Sequence, residues 1–88
     1  MATHKEEHQW VIVEGALQRT FEFQSFSEAL AFTLQVGNIA EANKHHPDIL
    51  IQYSIVILRL YTHDQQNKVT AKDHGLAKKI DSFYSEQA

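Results

Sequence analysis

The run Glu41-Ala42-Asn43-Lys44-His45-His46-Pro47 sets a carboxylate four residues before the first of two adjacent imidazoles. On a helix that spacing puts Glu41 and His45 on one face, where the carboxylate would hold the ring in one tautomer. Imidazole is the side chain that both gives and takes a proton near neutral pH, at about 6.5 when unperturbed, so the run reads as acid–base equipment. Pro47, the single proline, pushes His46 out of the α region and ends the helix. The two rings then point in different directions, one to act and one to bind. His63 and Asp73 complete the set of candidates, all near the ends of predicted elements, where sites are built. Each alone has an ordinary structural explanation: His45 complements a helix C-terminus, Asp73 caps a helix, and His63 is a solvated loop residue.

Three histidines and two carboxylates also meet the ligand count of a metal centre. Their spacing argues otherwise. Neighbours in an extended segment face opposite ways, and the usual helical metal pair stands four residues apart, which His45 and His46 do not. No serine pairs recognisably with these histidines, and the three glycines form no phosphate-cradling loop. The absence of cysteine excludes disulfides, thiolate nucleophiles and Cys-based metal sites. A formal charge of -3 with scattered basic residues offers no footprint for nucleic acid. No apolar run approaches the ~20 residues of a membrane span, and the polar start lacks the apolar core of a signal peptide. The expected location is therefore the cytosol.

The elements that must position these groups follow from periodicity. With 88 residues, 43% of them apolar and 22% charged, the chain is expected to form one domain over 1–88. Residues 1–8 read as a polar tail or a short frayed helix, and His4 and His8 have no partner that the sequence indicates. Residues 10–13 are β-rich, 14–16 read as a turn, and 17–23 alternate, together a β-hairpin. Ser25 and Glu28 have capping-box spacing and open a long helix over 26–44. Its apolar residues, Leu34 among them, cover more than half of the circumference, so Leu34 is either simply exposed or packed against a subunit partner.

Residues 49–61 read as one long bent strand or two short ones, and the run Ile55-Val56-Ile57-Leu58 suggests a strand covered on both faces. Residues 62–68 read as a loop. Thr70 and Asp73 repeat the capping-box geometry and open a last helix with the stripe Leu76, Ala77, Ile80, Phe83 and Tyr84. The order β-β-α-β(-β)-α predicts an α+β domain, an antiparallel sheet of three to four strands with helices on one face.

Glu41, His45, His46, Pro47, Tyr53, His63 and Asp73 together fill a signature that resembles the pterin-4a-carbinolamine dehydratases, also called dimerisation cofactors of hepatocyte nuclear factor. Trp10 before Glu14-Gly15, the stretch 21–26, Thr62 and Leu76-Ala77 also look like that family, and the resemblance covers residues 9–84. It implies a cofactor-free hydro-lyase that removes water from a 4a-hydroxytetrahydropterin, giving the quinonoid dihydropterin of tetrahydrobiopterin recycling. His45, His46 and His63 would be the catalytic histidines: His45, oriented by Glu41, as the main acid–base residue, His63 on the other side of the pterin, and His46 holding the substrate. Asp73 would orient one histidine, or only cap its helix. Trp10 would wall the pocket against the flat pterin, or would simply pack in the core. The family also implies a homodimer or homotetramer, and in some members a protein partner of a transcription factor bound through the long helix. A non-catalytic interaction protein of the same fold is the competing reading.

Overall fold

The computed structural model describes residues 9–62, 66 and 68–87, with only the backbone of Gln87. Its elements are β1 (Val11–Val13), β2 (Ala16–Glu22), α1 (Phe26–Asn43), β3 (Asp48–Gln52), β4 (Ile55–Leu60) and α2 (Ala71–Gln87). The tail read at 1–8 and the candidate His63 lie outside the described residues.

Two tight hairpins build the sheet. In the first, Val13 pairs with Ala16 across Glu14 and Gly15, and both turn residues take positive φ, 50° and 83°. That is the primed turn whose twist matches the flanking strands. Gly15 adopts it freely, whereas Glu14 bears the steric cost of a Cβ in the left-handed region. Glu14→Asn creates the Asn-Gly pair this turn prefers, and is expected to stabilise the domain by about 0.5–1 kcal/mol and raise Tm by a few degrees. An unchanged or lower Tm in a thermal melt would refute the strain at Glu14. In the second hairpin Gln52 pairs with Ile55, and the exposed Tyr53 between them takes a φ of 56°.

The antiparallel order is β1-β2-β4-β3, with Phe21 opposite Val56 and Leu17 opposite Leu60. Alternation along β4 buries Val56, Leu58 and Leu60 on one face. Against that face lie Ala29, Phe32, Val36 and Ala40 of α1 and Leu76, Ala77 and Ile80 of α2, forming one core. Phe83 and Tyr84 pack against its edge. Ile55 and Ile57, read as covered on both sides, are only half-buried. Among the described residues no second layer packs on that face, because both helices lie on the other; an apolar run alone cannot distinguish the two cases.

At the start of α1 the cap from Ser25 forms as expected, while the return bond of Glu28 goes to the residue before the N-cap. Ser25 Oγ accepts from the Glu28 amide at 3.1 Å, and Glu28 Oε1 accepts from the Gln24 amide at 3.1 Å. Leu34 on α1 is 65% exposed, with Phe26 and Leu30 beside it on the helix surface, so within the single chain the wide apolar face of α1 is only half used.

Candidate functional site

The first turn of α2 supplies the centre of the site. Asp73 stands at the third helical position, where its Oδ2 accepts the Thr70 backbone N–H at 2.8 Å, one half of a capping box, while the Thr70 hydroxyl accepts from the Lys72 amide at 3.3 Å instead of the Asp73 amide. The same Oδ2 accepts the Thr62 hydroxyl at 2.8 Å. With that hydrogen committed to Asp73, the Thr70 hydroxyl is left to donate to Thr62 Oγ1, 2.7 Å away. Oδ1 faces outward and meets His45 Nε2 at 2.6 Å. The carboxylate is 0% exposed, a position tolerable for a charge only when it is fully hydrogen-bonded.

Burial alone would raise the Asp73 pKa. The hydrogen bonds from His45, the Thr70 amide and Thr62, with the nearby imidazole charge, outweigh it and hold the carboxyl below its ordinary value. Asp73 is therefore ionised at neutral pH and can only accept, which makes His45 Nε2 the donor and leaves Nδ1 as the ring nitrogen not bonded to Asp73. A carboxyl whose pKa is lowered in the folded state stabilises the fold above the unfolded pKa, about 3.9, and loses that contribution as pH falls through the folded value. Asp73→Asn cannot titrate. It is expected to lower Tm at pH 7 and to flatten the fall of Tm below about pH 4; an acid limb parallel to the wild type would show that Asp73 contributes nothing to it.

His45 reaches Asp73 because α1 stops two residues earlier. Lys44 takes a left-handed φ of 53°, its N–H bonds Glu41 O at 3.1 Å and the His45 N–H bonds Ala40 O at 3.1 Å, a Schellman closure with lysine where glycine is usual. The chain then leaves the helix, and the expected pairing of Glu41 with His45 does not form, since four-residue spacing aligns side chains only while the helix continues. Instead Glu41 Oε1 lies 3.3 Å from His46 Nε2, both side chains being exposed. The adjacent rings thus have different partners, and His45, its side chain 12% exposed, is the more enclosed of the two.

Beside His45 opens a cleft of about 350 Å³ between Asn43 and Lys44 at the end of α1 and Lys72, Gly75, Leu76 and Lys79 on α2. Lys79 Nζ donates to Asn43 Oδ1 at 2.7 Å across the two helices. Trp10 does not line this cleft. It lines a second one of about 440 Å³ on the other side of α2, with Leu17, His74 and Lys78, and Gly75 borders both. Trp10 Nε1 donates to both Asp81 oxygens, at 2.9 and 3.0 Å. Asp81 also accepts from Arg19 at 2.7 Å, and the Arg19 guanidinium lies 4.4 Å from the Phe21 ring centroid. The capping signal of Thr70 and Asp73 joins those two residues as expected, but sequence reasoning missed Thr62 as a further partner of Asp73 and Asp81 as the partner of Trp10, contacts 11 and 71 residues apart that leave no local trace.

A family model described as pterin 4 alpha carbinolamine dehydratase matches residues 1–83. A protein of Herpetosiphon aurantiacus provisionally named pterin-4-alpha-carbinolamine dehydratase is 38% identical over 76 residues, covering 86% of this chain and 78% of the relative. One of Sulfolobus acidocaldarius with the same provisional name is 40% identical over 74 residues, covering 84% and 80%. A solved structure from Brucella melitensis, described as a transcriptional coactivator/pterin dehydratase, superposes with a TM-score of 0.76 at 31% identity, covering 93% of this chain and 94% of that one. A pterin dehydratase-like protein described as a RuBisCO assembly factor in the alpha-carboxysome shares the fold, with a TM-score of 0.70 at 20% identity over 85% and 88% of the chains. No helix among the described residues is long and apolar enough to cross a membrane.

Proposed function

The chain belongs to the pterin 4 alpha carbinolamine dehydratase family, and on that footing we propose that it removes water from a 4a-hydroxytetrahydropterin by histidine acid–base catalysis. In this reaction the C4a–O bond breaks, the hydroxyl leaves as water with an added proton, and N5 loses its proton as its electrons form the C4a=N5 bond. Two proton transfers are needed, and neither requires a metal or a redox cofactor. The observation that carries the reading is His45: its Nε2–H is committed to a buried, ionised Asp73, and its Nδ1 is the atom left to exchange a proton with a substrate in the adjoining cleft.

Asp73 acts in this reading as the orienting group, fixing the tautomer of His45. His63 serves as the second acid–base residue and follows Thr62, whose hydroxyl is bound to Asp73. His46, exposed beside Glu41, contacts the substrate at the rim. Trp10 offers an aromatic wall to a pterin that extends across Gly75 into the second cleft.

The test is the dehydration rate of freshly generated 4a-hydroxytetrahydropterin against the spontaneous reaction. Wild type is expected to accelerate it, and His63→Ala to lose at least about 10²-fold of that acceleration. A folded wild type that leaves the spontaneous rate unchanged would sink the catalytic reading. The weight would then pass to a protein-binding role, which one observation favours: the exposed Leu30 and Leu34 on α1 line an open apolar groove of about 710 Å³. That face also suits self-association of this chain. A double variant, His45→Ala with His63→Ala, separates the two roles, since a binding role survives it.

A further inference from the structure

We propose that the cleft beside His45 takes a pterin whose side chain ends in a phosphate ester, a reading that rests on the dehydratase assignment of the same site and specifies its substrate. Three of the eight lysine and arginine residues of a chain with net charge -3 line this one cleft. Scattered along the sequence, Lys44, Lys72 and Lys79 are brought together by the meeting of α1 and α2. Among the described residues no carboxylate lines the cleft. Asp73, bonded to His45, is buried and already accepts three hydrogen bonds, and Glu41 is turned to His46. Like charges around a concave site focus their field on what enters it.

Solvated lysines on helix surfaces are common, but these three stand where other residues would serve the fold better or hold still more easily. Lys44 occupies a left-handed φ of 53° that favours glycine or asparagine. Lys72 lies in the first turn of α2, where the macrodipole favours acidic side chains. Lys79 is held by Asn43 at 2.7 Å, and Asn43 in turn donates to Ile39 O at 2.7 Å, so its ammonium is anchored over the cleft. The cations are all lysines. Ammonium groups act as point charges, and three of them answer a phosphate monoester, with a charge of about −1.5 to −2 near pH 7, more fully than the single charge of a carboxylate.

The experiment measures, by quenching of pterin fluorescence, the affinity of three stable pterins that differ only in a side chain ending in hydroxyl, carboxylate or phosphate. At low salt the phosphate ester is expected to bind roughly tenfold tighter than the hydroxyl form, as two or three partly exposed ion pairs together would give. The ratio should shrink toward 1 as salt rises and in the double variant Lys44→Gln with Lys72→Gln. Lys79→Gln, which leaves the helix cap and the first turn of α2 untouched, should reduce it independently. Equal affinities, a preference for the carboxylate form, or a phosphate preference that survives these substitutions would overturn the proposal, as would failure of all three pterins to bind. Phosphate-selective binding without turnover of any carbinolamine would instead overturn the dehydratase reading alone, so the two fail separately.

Discussion

His45→Ala is expected to abolish most of the acceleration of carbinolamine dehydration, a loss of about 10²–10⁴-fold, the usual worth of a positioned acid–base group. The expectation follows from the way the ring is held. A free imidazole is divided between tautomers and rotamers, whereas His45 donates from Nε2 to Asp73 at 2.6 Å and presents Nδ1 as its one exchangeable site. Removing the ring leaves the Thr62 and Thr70 bonds to Asp73 in place, so the stability cost should stay near 1–3 kcal/mol, that of one unmet partner of a buried acceptor. His45→Asn sharpens the comparison, because a carboxamide can still donate to Asp73 but cannot titrate. Both variants should be folded and inactive, and millimolar imidazole in the buffer should restore part of the rate only where alanine leaves room for it. A variant that dehydrates the carbinolamine as fast as wild type would remove His45 from the mechanism.

Phe32→Ala is expected to destabilise the domain by about 3–5 kcal/mol. The ring is fully buried at the centre of an aromatic cluster, with centroids at 4.9 Å from Phe21, 5.0 Å from Phe23, 5.7 Å from Tyr84 and 6.1 Å from Phe83. Its loss opens a cavity and removes several ring pairs that together tie β2, α1 and α2. A domain of this length has roughly 4–13 kcal/mol in total, so the variant should be largely unfolded at 37 °C or close to it. Urea unfolding at 10 °C would measure the difference. A change under 1 kcal/mol would mean that the cluster collapses around the gap, contrary to the close packing described.

Both helix starts were legible because a capping signal is a local code: Ser25 with Glu28, and Thr70 with Asp73, stand three residues apart, and each pair makes one of the two bonds of the full box. The first hairpin was legible for the same reason, alternation and a turn being read over a few positions, whereas residues 49–61, read as one bent strand or two short ones, prove to be two paired strands, β3 and β4. What the sequence could not yield was any relation across the fold. Glu41 was assigned to His45 because helical spacing was carried past the point where Lys44 ends the helix, and no propensity argument favours a lysine for a left-handed closure. Asp73 was visible as a cap or an orienting group, but which histidine it would meet depends on the packing of α1 on α2, 28 residues apart in the chain. The gathering of Lys44, Lys72 and Lys79 was hidden likewise, and summed charge pointed the opposite way.

The divided loyalty of Asp73 bears on how this fold changes use over evolutionary time. One oxygen closes the cap of α2 and holds Thr62, while the other serves His45. A member of the family that served only a binding role would still be selected to keep the acid, since the cap of α2 rests on it, but would be free to exchange the imidazole for another hydrogen-bond donor. In such a lineage the aspartate would persist as a relic of architecture, and the ring beside it would be the discriminating mark of chemistry. Paralogues sorted by measured dehydratase activity should accordingly share the acid across both classes and the imidazole within one; an inactive class that lost the acid first would contradict this order of loss.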